Sequence, residues 1–168
     1  MSVLLDTVVG SPEPCLWDKV SVEKFASEVA EKLGYKSDKD IGSFVEKLGG
    51  RIEYTDWDIA LQTGSITVFG PGKFSIFLSP FSGVRRDRFT IAHELGHYML
   101  HSKAGSIPIA VKRAGSGRVE WEANWFAAGF LMPRNEFKEK MAEGYTDAEL
   151  AEHFGVSQNA VEIRKQNL

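Results

Sequence analysis

The stretch that most constrains this chain is residues 89–101, FTIAHELGHYMLH. No proline interrupts it, and its apolar residues recur three and four apart, the period of a helix with one buried face. Residues four apart on such a helix are neighbours, about 6 Å between Cβ atoms. The imidazoles of His93 and His97 can therefore reach one metal ion, and Glu94 can reach a water beside it without being a ligand. At about 100° per residue, Phe89, Ala92, Leu95, Gly96, Met99 and Leu100 share one arc. Thr90, His93, Glu94, His97 and His101 share another, with none of the Lys or Arg that a plain solvated face would carry. Gly96 costs about 1 kcal/mol relative to alanine in a helix interior, which implies a close approach at that point.

Such a helix needs a body to bury against. The chain has 168 residues, 43% apolar and 26% charged, enough for one soluble domain with a real core. A net charge of −3 gives no general reason to expect nucleic acid as a partner. The longest apolar run, residues 125–132, is far short of a membrane span. The opening MSVLLDTVVGSP lacks the basic and apolar regions of a signal peptide. A single cysteine, Cys15, excludes an intrachain disulfide, and cytoplasmic residence is expected.

Residues 1–20, broken by Pro12 and Pro14, read as an extended arm. Ser21 opens an amphipathic helix that Gly34 closes, with Glu23 in its first turn; a short helix follows over 41–48. Strand signals cover 51–56, 65–69 and 74–79, and Gly70-Pro71-Gly72 makes the last two a hairpin. After His101 comes a long loop rich in Gly, Ser and basic residues, with a candidate strand at 107–111; loops of that length are usually functional or mobile. Helices are expected over 119–132 and 134–143, then two short ones with cap signals at Thr146 and Ser157. The fold class is α+β: a short antiparallel sheet, the histidine helix and a helix-turn-helix-like tail. The expected divisions are an arm (1–20), a domain (21–144) and a tail (145–168) packed on it.

Two histidines leave a catalytic zinc site one protein ligand short. In the helix over 119–132, Glu120 falls in the middle of the apolar arc, with Trp121 and Trp125 on its flanks. A carboxylate there is unfavourable unless compensated, and a cation would compensate it. The other reading is a glutamate at a helix start still reached by water. Asn124, one turn on, can hydrogen-bond a ligand imidazole and orient it. Glu122, about 200° from Glu120, is expected in water, so its replacement should have little effect.

HELGH and the later VEWEANWFAAGFLMP, together with RDRFTIA and the ending ELAEHFGVSQNAVEIRKQNL, resemble the ImmA/IrrE-type metallopeptidases, a small gluzincin-like (zincin) group. The resemblance covers about residues 50–168 and does not reach the first 20. It implies Zn2+ on His93, His97 and Glu120 with Glu94 as base. It also implies a protein substrate, often a helix-turn-helix repressor or antitoxin encoded nearby in a mobile element. A second oxyanion donor is expected; Tyr98 and His101 are the candidates, each alternatively a packing or ligand-orienting residue.

The tail invites a DNA-binding reading, but over residues 145–168 Asp147, Glu149, Glu152 and Glu162 face only Arg164 and Lys165. A phosphate-binding module would be basic, so direct nucleic-acid binding is not expected. Two function classes stay open. One is a zinc endopeptidase acting on a regulatory protein, which the presence of Glu94 favours. The other is a binding module that keeps the metal site and grips a protein or DNA. Cys15 is either a packed apolar residue or a thiolate filling the zinc's open position.

Overall fold

The structure, a computed structural model, describes residues 9–55, 65–112 and 117–168. Residues 1–8 of the expected arm, Asp56 at the end of the first expected strand, and 113–116 of the expected loop lie outside the described residues.

Helix α1 spans Lys19–Leu33. It starts ahead of Ser21 because Asp18 is the cap, accepting the Ser21 N–H, and Gly34 ends it at a φ of 74°. Helix α2, Ile41–Lys47, is capped in the same way by Asp40. Strands β1 (Gly50–Tyr54), β2 (Ser65–Gly70), β3 (Lys73–Leu78) and β4 (Ile109–Lys112) form one sheet in the order β1–β3–β2–β4. The Gly70-Pro71-Gly72 hairpin joins β2 to β3 in antiparallel fashion. The sheet is nevertheless mixed, which corrects the expected antiparallel one. β3 folds back between β1 and β2, and so runs parallel to β1.

Register gives the sheet its buried face. Ile66 pairs with Ile76 and Val111, and Val68 with Phe74 and Ile109, all of them buried. Side chains alternate across a strand, so these residues form one continuous apolar face. Tyr98 stacks on Phe74 with ring centroids 4.1 Å apart, which lays the histidine helix across that face.

The histidine helix is longer than its motif. Helix α3 runs Val84–Gly96 and passes into a π-helical turn, His97–His101, where the Ser102 N–H bonds to the His97 carbonyl at 3.0 Å. π-Helical turns are rare and often mark functional sites. Helix α4, Arg118–Leu131, crosses both α3 and α1. A Cβ on Gly96 would lie 3.0 Å from Phe126 Cβ and 3.2 Å from Ala123 Cα, so the close approach expected at Gly96 is that of α4. Gly129 does the same for α1: a Cβ there would lie 2.5 Å from the Glu23 carbonyl.

The buried face of α4 corrects the sequence arithmetic. It centres on Ala123, Phe126, Ala127 and Phe130, roughly a quarter turn from the arc centred on Glu120. Glu120 sits at one edge, Trp121 is exposed, and Glu122 is fully buried. Of the two flanking tryptophans Trp121 faces solvent while Trp125 packs half-buried against the core, and α4 is wedged between α1 and α3, which approach it closely at Gly129 and Gly96.

Helices α5 (Arg134–Ala142), α6 (Asp147–Phe154) and α7 (Gln158–Gln166) end the chain. Thr146 and Glu149 form a reciprocal capping box, and Ser157 caps α7 through the Ala160 N–H. α7 is tied back to the body through a buried ion pair. Arg164 donates to Glu23 Oε1 at 2.7 Å and to the Met132 carbonyl at 3.0 Å, while Arg134 donates to Glu23 Oε2 at 2.9 Å. Glu23 is thus an anchor between α1 and the tail as well as a first-turn acid. Among the described residues no helix is long and apolar enough to cross a membrane.

Candidate metal centre

Helix periodicity puts His93 and His97 on one side of α3, and the crossing of α4 brings Glu120 to them. His93 Nε2 lies 2.9 Å from Glu120 Oε2, and His97 Nε2 lies 3.3 Å from Glu120 Oε1 and 3.2 Å from His93 Nε2. One ligand atom from each residue falls within 4.8 Å of the others, a group that could hold a metal ion. Both histidines are buried, while the Glu120 side chain keeps 14% exposure. A cleft of about 520 Å³ lined in part by Pro12, Val111, Arg118 and Glu120 opens beside it, between the arm and β4.

The electrostatics suit a cation. Burial pushes the His97 imidazole down to about 4, against the opposing pull of Glu120, so it is neutral near pH 7. Burial alone would raise the Glu120 carboxyl, but the adjacent His93 and His97 rings outweigh it and hold the group well below the usual carboxylate range. The outcome is a donor set of imidazole nitrogens and one carboxylate, of the kind that binds zinc. Asn124 Oδ1 lies 2.8 Å from His93 Nδ1. An amide oxygen only accepts, so His93 Nδ1 carries a proton, and binding a cation at the centre would use the lone pair of Nε2.

The remaining candidates separate. Glu94 is buried at 1% exposure and is not one of the three converging donors. Tyr98 is taken up in packing, its ring on Phe74 and its hydroxyl accepting the Gly72 N–H at 3.1 Å. His101 turns its Nδ1 to His97 Nδ1, 2.9 Å away, and its Nε2 to Glu122 Oε2, 2.8 Å away. Cys15 is not in the donor group; its main-chain N–H donates to Glu122 Oε2 at 2.9 Å.

Glu122, expected in water, is the largest departure from the sequence reading. It accepts from the N–H groups of Cys15 and Leu16, from His101 and from Arg118 Nε, all within 3.0 Å. Burial opposes its ionisation, but these donors hold the carboxyl down at about 2. The only signal in the sequence was indirect: His101 stood on the ligand arc with no partner assigned to it. The partners lie 21 residues away on α4 and, beyond them, on the arm.

Comparison with known proteins agrees with this arrangement at the level of family and fold. Residues 46–165 match the family model Peptidase M78, described as the IrrE N-terminal-like domain. Among solved structures, a Mycobacterium tuberculosis transcriptional regulator has a similar fold, with a TM-score of 0.60 and 16% identity over 84% of this chain. This chain spans 45% of that protein's length. A search of curated proteins returned no match. Matched over residues 46–165, which carry the histidine helix and Glu120, the chain belongs to the M78 peptidase family with an IrrE N-terminal-like domain.

Proposed function

We propose that this chain is a zinc-dependent endopeptidase of zincin type, in which His93, His97 and Glu120 hold the ion and Glu94 moves the proton. The observation that carries the reading is the convergence of two imidazoles, His93 and His97, and the Glu120 carboxylate within 4.8 Å. When bound, zinc supplies Lewis acidity, acidifying water and polarising a peptide carbonyl. Glu94 adjoins His93 on α3 and is buried with it. A carboxylate so placed can take a proton from the attacking water and hand it to the leaving amine. Asn124 orients His93 through Nδ1.

The proposed substrate is another protein, a repressor-like or antitoxin-like regulator. The family match supports a peptidase, and the structural neighbour is itself named a transcriptional regulator. That same name favours a second reading, a domain that keeps its metal and works by gripping a partner or DNA. Direct DNA contact by the tail has little support, since its acids outnumber its bases.

One substitution separates the two. Wild type and Glu94→Gln are loaded with zinc, assayed for bound metal, and incubated with a proteome-derived peptide library whose new termini are read by mass spectrometry. Both proteins should hold zinc, and only the wild type should create termini. Equal cleavage by both would remove Glu94 as base. No cleavage by a zinc-loaded wild type would favour the binding module.

A further inference from the structure

We infer that Glu122 and His101 are a positioning pair that sets the tautomer and aim of His97 toward the metal ion, an inference that rests on the metal-centre reading above. Polarity along the chain of contacts carries it. Three donors of fixed polarity already hold the Glu122 carboxylate: Oε2 takes Cys15 N–H, and Oε1 takes Leu16 N–H and Arg118 Nε. With its acceptor sites taken up in this way, Glu122 can only accept.

His101 must then carry its proton on Nε2, 2.8 Å from Glu122. The other tautomer would set a nitrogen lone pair against a carboxylate oxygen. That choice leaves His101 Nδ1 as an acceptor, 2.9 Å from His97 Nδ1. The His97 proton must in turn sit on Nδ1, since otherwise two lone pairs would face each other. His97 Nε2 is thereby left with its lone pair open, and Nε2 is the atom next to Glu120 and His93. For neutral rings, no other arrangement satisfies the His101–Glu122 and His97–His101 contacts; it sets the His97 Nε2 lone pair toward the Glu120 carboxylate, an opposition that a cation held between them would relieve.

Burial makes the relay strict. His97 and Glu122 are 0% exposed and His101 is 3% exposed, so water is poorly placed to stand in for a missing partner. The π-helical turn contributes by carrying His101 at the point where the chain leaves α3. The two histidine ligands are thus oriented by different means. Asn124 accepts directly from His93, and a carboxylate accepts from His97 through an intervening imidazole. Outer partners of this kind fix ring orientation and raise ligand basicity, and their loss typically costs about 10–100-fold in metal affinity.

The test uses the full chain. Long-range proton–nitrogen spectra of the imidazoles report the tautomer of each histidine in the metal-free protein, and competition with a chromophoric chelator reports affinity for Zn2+ alone. The wild type should show His97 protonated on Nδ1 and His101 on Nε2. Glu122→Gln places an amide NH2 against one of the two donor pairs. His101→Phe breaks the relay while leaving the contacts of the arm with Glu122 in place. Both variants should lose the single His97 tautomer and bind zinc about 10–100-fold more weakly. Arg118→Ala, which removes a donor from Oε1 alone, should keep the tautomer. Parent-like zinc affinity in both relay variants, or a wild-type His97 protonated on Nε2, would overturn the pairing. A wild type that takes up no zinc would overturn the metal centre itself, a distinct result.

Discussion

At the scale of single residues, helix arithmetic misplaced Glu122, which is buried rather than in water, and set Glu120 too near the middle of the buried face, yet Glu120 still meets the histidines. It does so from the edge of the buried face, where a side chain with 14% exposure can face both a ligand and the cleft. Glu120→Ala should therefore lower zinc affinity sharply, because two imidazoles alone leave a catalytic zinc a protein ligand short. Asn124→Ala should lie between that variant and the parent, down by about 10–100-fold, since it removes only the acceptor for His93 Nδ1. Chelator-competition titrations rank the variants, and Glu120→Ala binding at the parent's affinity would return the third-ligand question to His101.

Among the elements, the arm and the tail are both held by buried carboxylates, Glu122 and Glu23. The arm runs beside β4, with the Gly10 N–H on the Pro108 carbonyl at 3.0 Å and the Ala110 N–H on the Gly10 carbonyl at 3.0 Å, and then caps Glu122 with two main-chain N–H groups. Burial raises the Cys15 thiol, which stays protonated near neutrality. Cys15→Ser should leave zinc affinity unchanged by the same titration, because the contact of this residue with Glu122 includes its main-chain N–H. A gain of activity in that variant would revive the thiolate reading. At the other end, Glu23 and Arg164 are 3% and 2% exposed. Glu23→Ala removes the charge partner of the buried Arg164, leaving it the Met132 carbonyl, and should cost about 3–5 kcal/mol in urea unfolding. Replacing both residues by methionine should recover much of that, since the pair rather than either charge alone is accommodated.

For the whole molecule, the apolar core does not depend on a metal. The sheet face, α1 and the seam of α4 form one continuous set of buried side chains. Chelation should consequently leave the fold intact. Adding Zn2+ should still raise the unfolding temperature, by an amount that corresponds to about 2.7 kcal/mol when free zinc is 100 times its dissociation constant. Calorimetry of wild type and Glu120→Ala checks this, with the shift expected in the first and largely missing in the second. An equal shift in both would place the zinc elsewhere.

Sequence alone determined whatever depends on near neighbours along the chain. Four-residue spacing is enough to pair His93 with His97, and caps at Thr146 and Ser157 and the Gly70-Pro71-Gly72 hairpin follow from local hydrogen bonding and backbone preference. Gly96 announced a close contact because its helix cost needed a reason, although the partner, α4, could not be named. Tertiary structure decided the rest. Which face of α4 is buried depends on α1 and α3 pressing from two sides, and a helical wheel holds no record of either. β1 became parallel to β3 because of where the hairpin docks, which no strand specifies by itself. Glu122 was unreadable for the same reason. A buried carboxylate is tolerable only through its donors, and those donors come from the arm, the π-helical turn and its own helix, brought together only by the fold.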